Sequence, residues 1–242
     1  MYSYRSSDEP PEPAARPALG RASLRAEQVS PSDPAWCSTL EGWLEAIRQL
    51  EGRPVSAATR IKLEDSRRIC SELLQVLRGT GPGEGRAAER SLLAVRALGR
   101  TQALSTMFAC PGATFIELIA TAPWNLLGRE DPSDPRTVRG AGSTLVRHAV
   151  TWSQARGCAG RVALQADNPR ALSCYEHMGF RRMQPEDGPL AFVPRGDRGW
   201  SPEILRVAQG CPEPDEKSSP WLLFDPAPDA RSHQPGAILA TS

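Results

Sequence analysis

Apolar residues return at three- and four-residue intervals along 34–50, so Trp36, Leu40, Trp43, Leu44, Ile47 and Leu50 would share one face of a helix. Ser32-Asp33-Pro34 supplies its start signal. A second helix is predicted from Ser56, with Ile61, Ile69, Leu73, Val76 and Leu77 as its apolar positions, and it stops at Gly79-Thr80-Gly81-Pro82-Gly83. The rhythm then shortens. Residues 91–98, 102–109 and 114–120 read as three strands separated by the turn pairs Gly99-Arg100 and Pro111-Gly112. Beyond a polar loop, Leu145, Val146, Ala149, Val150 and Trp152 predict a helix from about 142 to 156, with Gly157 just past its end. Val162-Ala163-Leu164 is a short buried strand. Asn168 caps a further helix that has Pro169 in its first position and Gly179 beyond its last. A weak strand at 22–29 and a last strand pair within 180–193 complete the order, which is that of a mixed α/β layer with helices packed on it.

Composition changes this picture mainly at the ends. Thirteen of the 23 prolines lie in residues 1–35 and 200–242, among Ser, Asp and Glu that bury little surface. The domain is therefore placed at 21–199, flanked by a disordered tail at 1–20 and a proline-rich tail at 200–242, largely disordered from about 210. Trp221-Leu222-Leu223-Phe224 is the one apolar island in that tail, expected to dock on the domain itself. The chain carries a net charge of +1, with an excess of +5 in residues 36–199, too small to argue nucleic-acid binding. No run of eighteen apolar residues suggests a membrane span. The opening Met1-Tyr2-Ser3-Tyr4-Arg5 does not read as a secretory signal. The six cysteines, Cys37, Cys70, Cys110, Cys158, Cys174 and Cys211, lie far apart, and the three histidines form no ligand pair. The expectation is a reduced, cytoplasmic, metal-free protein.

Candidate chemistry is concentrated in residues 114–180. Arg139-Gly140-Ala141-Gly142-Ser143 lies between a strand and an amphipathic helix. Two glycines permit a tight turn, so that successive amides and the helix's positive end can converge on an anion. A single G-x-G also serves many strand–helix turns as geometry alone. The next segment, Asn168-Pro169-Arg170-Ala171-Leu172-Ser173-Cys174-Tyr175-Glu176-His177-Met178-Gly179-Phe180, opens the following helix after one strand. Together the two stretches resemble the GNAT superfamily of acyl-CoA N-acyltransferases. The family's Q/R-x-x-G-x-G/A is matched by Thr137-Val138-Arg139-Gly140-Ala141-Gly142. Its later N-x-x-A-x-x-x-Y-x-x-x-G-F is matched by Asn168, Ala171, Tyr175, Gly179 and Phe180. The resemblance implies a mainly antiparallel central sheet with helices on both faces.

It also implies acetyl-CoA as co-substrate, with its pyrophosphate on the backbone of Thr137, Val138, Arg139, Gly140, Ala141, Gly142 and Ser143. Asn168 would contact the CoA arm, and Ile119 and Thr121 would lie along the cofactor on a strand whose exposed N–H polarises the thioester. An amine would then attack that carbon directly. Tyr175 is the implied general acid for the departing thiolate. Glu117, between Phe115-Ile116 and Leu118-Ile119, is either a general base of raised pKa or a carboxylate pointing at solvent. Two departures stand out. Thr137 replaces the family's Gln or Arg, with Arg136 or Arg139 as substitute charges. About a dozen extra residues, including Glu130, Asp131 and Asp134, precede the glycine turn and either shape the acceptor site or are a tolerated insertion.

Cys174 reads as a packed thiol rather than a nucleophile, and His148 and His177 as helix-surface residues. Trp124 and Asn125 either contact acceptor or cofactor or serve packing. A rival to the enzyme is a catalytically silent GNAT-like module that binds acyl-CoA or a partner. A dinucleotide fold is rejected, since the glycines follow several strands and a third is missing. The amine acceptor is not named by these residues, and oligomeric state is open, a homodimer included.

Overall fold

The computed structural model describes residues 23–80, 90–110, 112–184, 187 and 220–226. Its strands are β1 (Arg25–Val29), β2 (Arg90–Ala97), β3 (Arg100–Ala109), β4 (Thr114–Thr121), β5 (Val162–Gln165), β6 (Arg181–Arg182) and β7 (Trp221–Phe224). Its helices are α1 (Ala35–Glu51), α2 (Ala57–Leu77), α3 (Ala141–Ala155) and α4 (Pro169–His177). The seven strands form one sheet in the order β1-β2-β3-β4-β5-β7-β6. Only β4 and β5 run parallel.

Alternate residues of the central strands sort onto two cores, as the two-residue period of a strand requires. Leu92, Ala94, Leu104 and Ala120 pack with Trp36, Leu40, Trp43 and Ile47 of α1 and Leu63, Cys70 and Leu73 of α2. Leu93, Val95, Ala103 and Met107 pack on the other face with Leu145, Val146 and Ala149 of α3. Ala171, Leu172, Tyr175 and Met178 bring α4 to that second face. The sheet is thus covered on both sides, and α1 buries the stripe its sequence spacing predicts. On α2 the stripe differs from expectation at one place. Ile61 is 60% exposed, and the core is reached instead through Leu63, Cys70 and Leu74. No helix among the described residues is long and apolar enough to cross a membrane.

The C-terminal end corrects one expectation and leaves another outside the described residues. Of the strand pair expected within 180–193, β6 at Arg181–Arg182 is present and pairs with β7, far along the chain. Residues 188–193 lie outside the described residues. The apolar island Trp221–Phe224 is a strand inserted between β5 and β6 rather than part of a tail, so the domain takes in residues beyond 199. An unbroken apolar run is what an interior strand covered on both faces needs. Leu222 joins the α3 core while Trp221 and Leu223 join a separate cluster with Phe108 and Phe115. Just past the strand, Asp225, 1% exposed in its side chain, receives the Nε of Arg161 at 3.3 Å and fastens β7 to the start of β5.

Leu222→Ala removes a fully buried side chain from this strand, and it is expected to destabilise the fold by about 2–5 kcal/mol. Urea unfolding followed by circular dichroism checks this. A change within about 0.5 kcal/mol, the range of an ordinary surface substitution, would show that the strand is not integral to the domain.

Candidate active site

The site is built around a failure of strand pairing. β4 and β5 are paired only at Thr114↔Val162, Phe115↔Ala163 and Ile116↔Leu164. Past Ile116 the edge of β4 that faces β5 has no strand partner among the described residues. A cleft of about 870 Å³ opens through this gap. One of its ends lies against α3 and α4, where Gly142, Val146, Asn168 and Tyr175 line it; the other lies against Ser66 and Ile69 of α2. At the same point the register of β4 against β3 slips, since Ile116 opposes Met107 but Leu118 opposes Thr106. Glu117 is the extra residue of this bulge, a feature that bends a strand and re-aims a side chain.

Gly140 and Gly142 serve different ends. Gly140 stands at the start of α3 with φ +89, the left-handed region where a Cβ clashes. It creates the abrupt entry of the chain into the helix. No side chain caps α3, so the amides of Ala141, Gly142 and Ser143 point out of its first turn, positive end of the helix dipole included. Gly142 has ordinary helical φ, and a methyl there would meet only Thr121 Cγ2 at 3.7 Å. Its lack of a side chain answers no need of the fold. It leaves the amides open where Gly142 and Thr121 face one another across the cleft.

Residues 135–180 match the sequence model of the acetyltransferase (GNAT) family. No curated protein matches the chain. Among solved structures, the PaiA N-acetyltransferase of Thermoplasma acidophilum in complex with coenzyme A is similar at 13% identity and TM-score 0.45, over 84% of this chain and 99% of that one. A Bacillus subtilis acetyltransferase in complex with CoA follows at 13% identity and TM-score 0.41, over 84% and 99%. An aminoglycoside 6'-acetyltransferase type Ii is similar at 15% identity and TM-score 0.41, over 82% and 95%.

Of the residues singled out from the sequence, Glu117, Ile119, Thr121, Gly142, Asn168 and Tyr175 line this one cleft. Gly140, Ala141 and Ser143 do not line it, and neither do Thr137, Val138 and Arg139 at the entry to the glycine turn. The Thr137 hydroxyl donates to the carbonyl of Trp124 at 2.7 Å, and the Val138 amide donates to Asn125 Oδ1 at 2.7 Å. The Arg139 guanidinium donates to the carbonyls of Asn125 and Leu127 at 3.1 and 2.8 Å. Arg136 pairs with Asp134 and stacks on Trp124. The substitute charges expected for the missing family Gln or Arg are thus committed to the loop, and the amides of Thr137 and Val138 are taken by the Asp134 carbonyl and Asn125 Oδ1.

Tyr175 packs against Phe180 with ring centroids 5.6 Å apart. Burial, reinforced by the neighbouring Cys174 and Asp167, pushes its phenol well above the ordinary value, so it holds its proton at neutral pH. Asn168 caps α4 through Oδ1, which accepts the Ala171 amide at 2.9 Å, and its Nδ2 reaches Asp65 of α2 at 3.0 Å. Glu117 does not sit in the apolar setting its sequence neighbours suggest. Arg90 of β2 donates to both of its oxygens, Nε at 3.0 Å and Nη2 at 2.9 Å.

Sequence reasoning missed Arg90 and a second organising residue, Gln102. Buried Gln102 accepts Trp124 Nε1 at 2.9 Å and Asn125 Nδ2 at 3.0 Å, and donates to the Ala97 carbonyl at 3.2 Å. Asn125, held there, fixes the Val138 amide and so the approach to the glycine turn. The insertion also finds its role. Asp131 accepts the amides of Ser56 and Gly128 at 2.7 and 2.6 Å and the Thr59 hydroxyl, clamping the loop to the start of α2. The cleft takes only Asn125 and Leu126 from residues 122–138.

Those hydrogen bonds, the one from Thr59 foremost, hold the Asp131 carboxyl at about 2, below its ordinary 3.8. A depressed folded-state value contributes stability that is complete above 3.8 and fades as pH falls toward 2. Asp131→Asn is expected to lower the urea midpoint at pH 7, with the gap to wild type narrowing over that acid window. A gap that stays constant on acidification would refute the ionised clamp.

Proposed function

We propose that the protein transfers the acetyl group of acetyl-CoA directly to a primary amine. The observation that carries this reading is the meeting, in one cleft of a chain whose residues 135–180 match the GNAT family model, of Gly142 at the uncapped start of α3, the unpaired edge of β4 and Tyr175. The amides of Ala141, Gly142 and Ser143 suit a pyrophosphate. The pantetheine arm would run along Ile119 and Thr121, offering strand-like amide groups to the backbone edge that β5 leaves free. The thioester then lies at the gap between β4 and β5, with its carbonyl oxygen accepting a β4 N–H.

The amine, having given one proton to water, attacks the thioester carbon. The oxyanion that forms is stabilised by the same β4 donor. As the intermediate collapses the carbon–sulfur bond breaks, Tyr175 gives its proton to the sulfur, and the nitrogen's second proton leaves to restore the phenol. The products are the acetamide, CoA and one proton. Holding both substrates side by side supplies most of the rate advantage. Tyr175's raised proton affinity keeps it in the donating form throughout the neutral range.

Calorimetric titration with acetyl-CoA tests the cofactor half of this reading. Gly142→Ala is expected to weaken binding about tenfold or more with thermal stability unchanged, because its methyl meets no clash in the fold. Gly140→Ala is instead expected to cost about 1–2 kcal/mol of stability. Tyr175→Phe is expected to lower kcat in thiol-release assays by about 10²–10⁴ while leaving acetyl-CoA binding intact. Absence of acetyl-CoA binding by the folded wild-type protein would sink the acetyltransferase reading.

A further inference from the structure

The end of the cleft remote from α3 is made of different material from the cofactor end. Its floor is aromatic: Phe108 and Phe115 stack with centroids 6.3 Å apart, and Trp221 lies 5.6 Å from Phe115. All three line the cleft, and Ile69 of α2 lines it with them. Beside this floor stands Glu117, whose side chain is 23% exposed, gripped by an Arg90 whose own side chain is only 6% exposed and lies over the Phe108 ring at 5.2 Å. The other carboxylates that line the cleft have partners of their own, Asp65 in Asn168 and Arg170, and Glu72 and Asp167 in Arg68.

The geometry points to an arylalkylamine as the acceptor, an aromatic ring on a short chain ending in an ammonium group, with Glu117 as that ammonium's counter-ion rather than its base. This rests on the acetyltransferase reading above. Both Glu117 oxygens already accept N–H donors from Arg90, which holds the carboxylate in one orientation as a hydrogen-bond acceptor. Each carboxylate oxygen keeps a second lone pair, and a partly exposed carboxylate can give it to an ammonium N–H. Arg90 acts through Glu117, as a positioning residue that fixes the carboxylate on the bulge. The rings are largely buried, so what they offer the acceptor's body is the apolar edges that reach the cleft, favourable to an edge-on aromatic partner. An amino sugar would bring hydroxyls against a mainly apolar floor. An unbranched alkylamine would bring no ring to meet those edges.

The test uses complexes with CoA, in which amines bind but no transfer occurs, so it does not depend on turnover. The full chain saturated with CoA is titrated with 2-phenylethylamine, n-butylamine and 2-phenylethanol. 2-Phenylethylamine is expected to bind about tenfold or more tighter than either of the others. Glu117→Gln, with CoA binding retained as the check on folding, is expected to erase the advantage over the alcohol and keep part of the advantage over butylamine. In turnover the same variant raises the amine KM about tenfold with kcat nearly unchanged. Equal affinity for the two amines overturns the aromatic assignment. A Glu117→Gln variant that binds the amine normally but loses kcat overturns the counter-ion role and restores the base. Failure of CoA itself to bind would count against the acetyltransferase reading instead.

Discussion

Two parallel strands that stay paired for three residues and then part leave a strip of backbone whose hydrogen-bonding groups have no partner in the sheet. Such groups are costly to bury dry, so a gap of this kind persists only where water or a ligand with complementary amides fills it. The rest of the site follows from that gap. α3 begins beside it with three uncapped amides, α4 brings Tyr175 to its far side, and Glu117 sits on the bulge next to the last paired residue, Ile116. One interruption of the ladder thus gives the molecule a passage from one face of its sheet to the other.

The gap must be held open by something other than the ladder it lacks, and its walls are fixed largely by polar ties. Gln102 anchors Trp124 and Asn125 at the end of β4, and Asn125 in turn anchors Val138 ahead of the glycine turn. Asp131 fixes the start of α2 against the loop, and Asp65 and Arg68 tie the middle of α2 to Asn168 and Asp167 at the start of α4. The Gln102 and Asp131 ties are buried and satisfied, the condition under which polar networks impose a single geometry. Of those between α2 and α4, the Asp65–Asn168 bond is part-buried and the Arg68–Asp167 pair is exposed, where water competes with it. The wall nearest the glycine turn is therefore the rigid one, and the α2–α4 side of the mouth has room to give.

Features carried by local chemistry were legible in the chain. The Ser56 and Asn168 caps, the glycine turn and the buried stripe of α1 each depend on residues within a few positions of one another, and the structure places them accordingly. What escaped depends on register between distant segments. Trp221–Phe224 is a strand because β5 and β6 leave a slot for it, while its proline-rich surroundings speak for a tail. Arg90 meets Glu117 across the intervening β3, because Arg90 lies over Phe108 on the face that Glu117 shares with Phe115. A carboxylate flanked by apolar neighbours in sequence says nothing of a guanidinium two strands away. Similarly, Arg136 and Arg139 looked like charges for the phosphates until the insertion between β4 and α3 supplied closer acceptors for both.

The two glycines of the turn show how a motif mixes requirements that a pattern cannot separate. At position 140 the backbone is left-handed and any side chain strains it, whatever binds nearby. At position 142 the backbone is ordinary helix and the surrounding space admits a methyl, so the fold alone would favour alanine there. The helix forgoes that gain in its first turn, beside amides that no side chain among the described residues caps. A residue that the fold would replace and that faces an open cleft is best explained by what approaches it from outside. Gly142 is thus the stronger evidence for an anion than Gly140, although the two are indistinguishable in the motif.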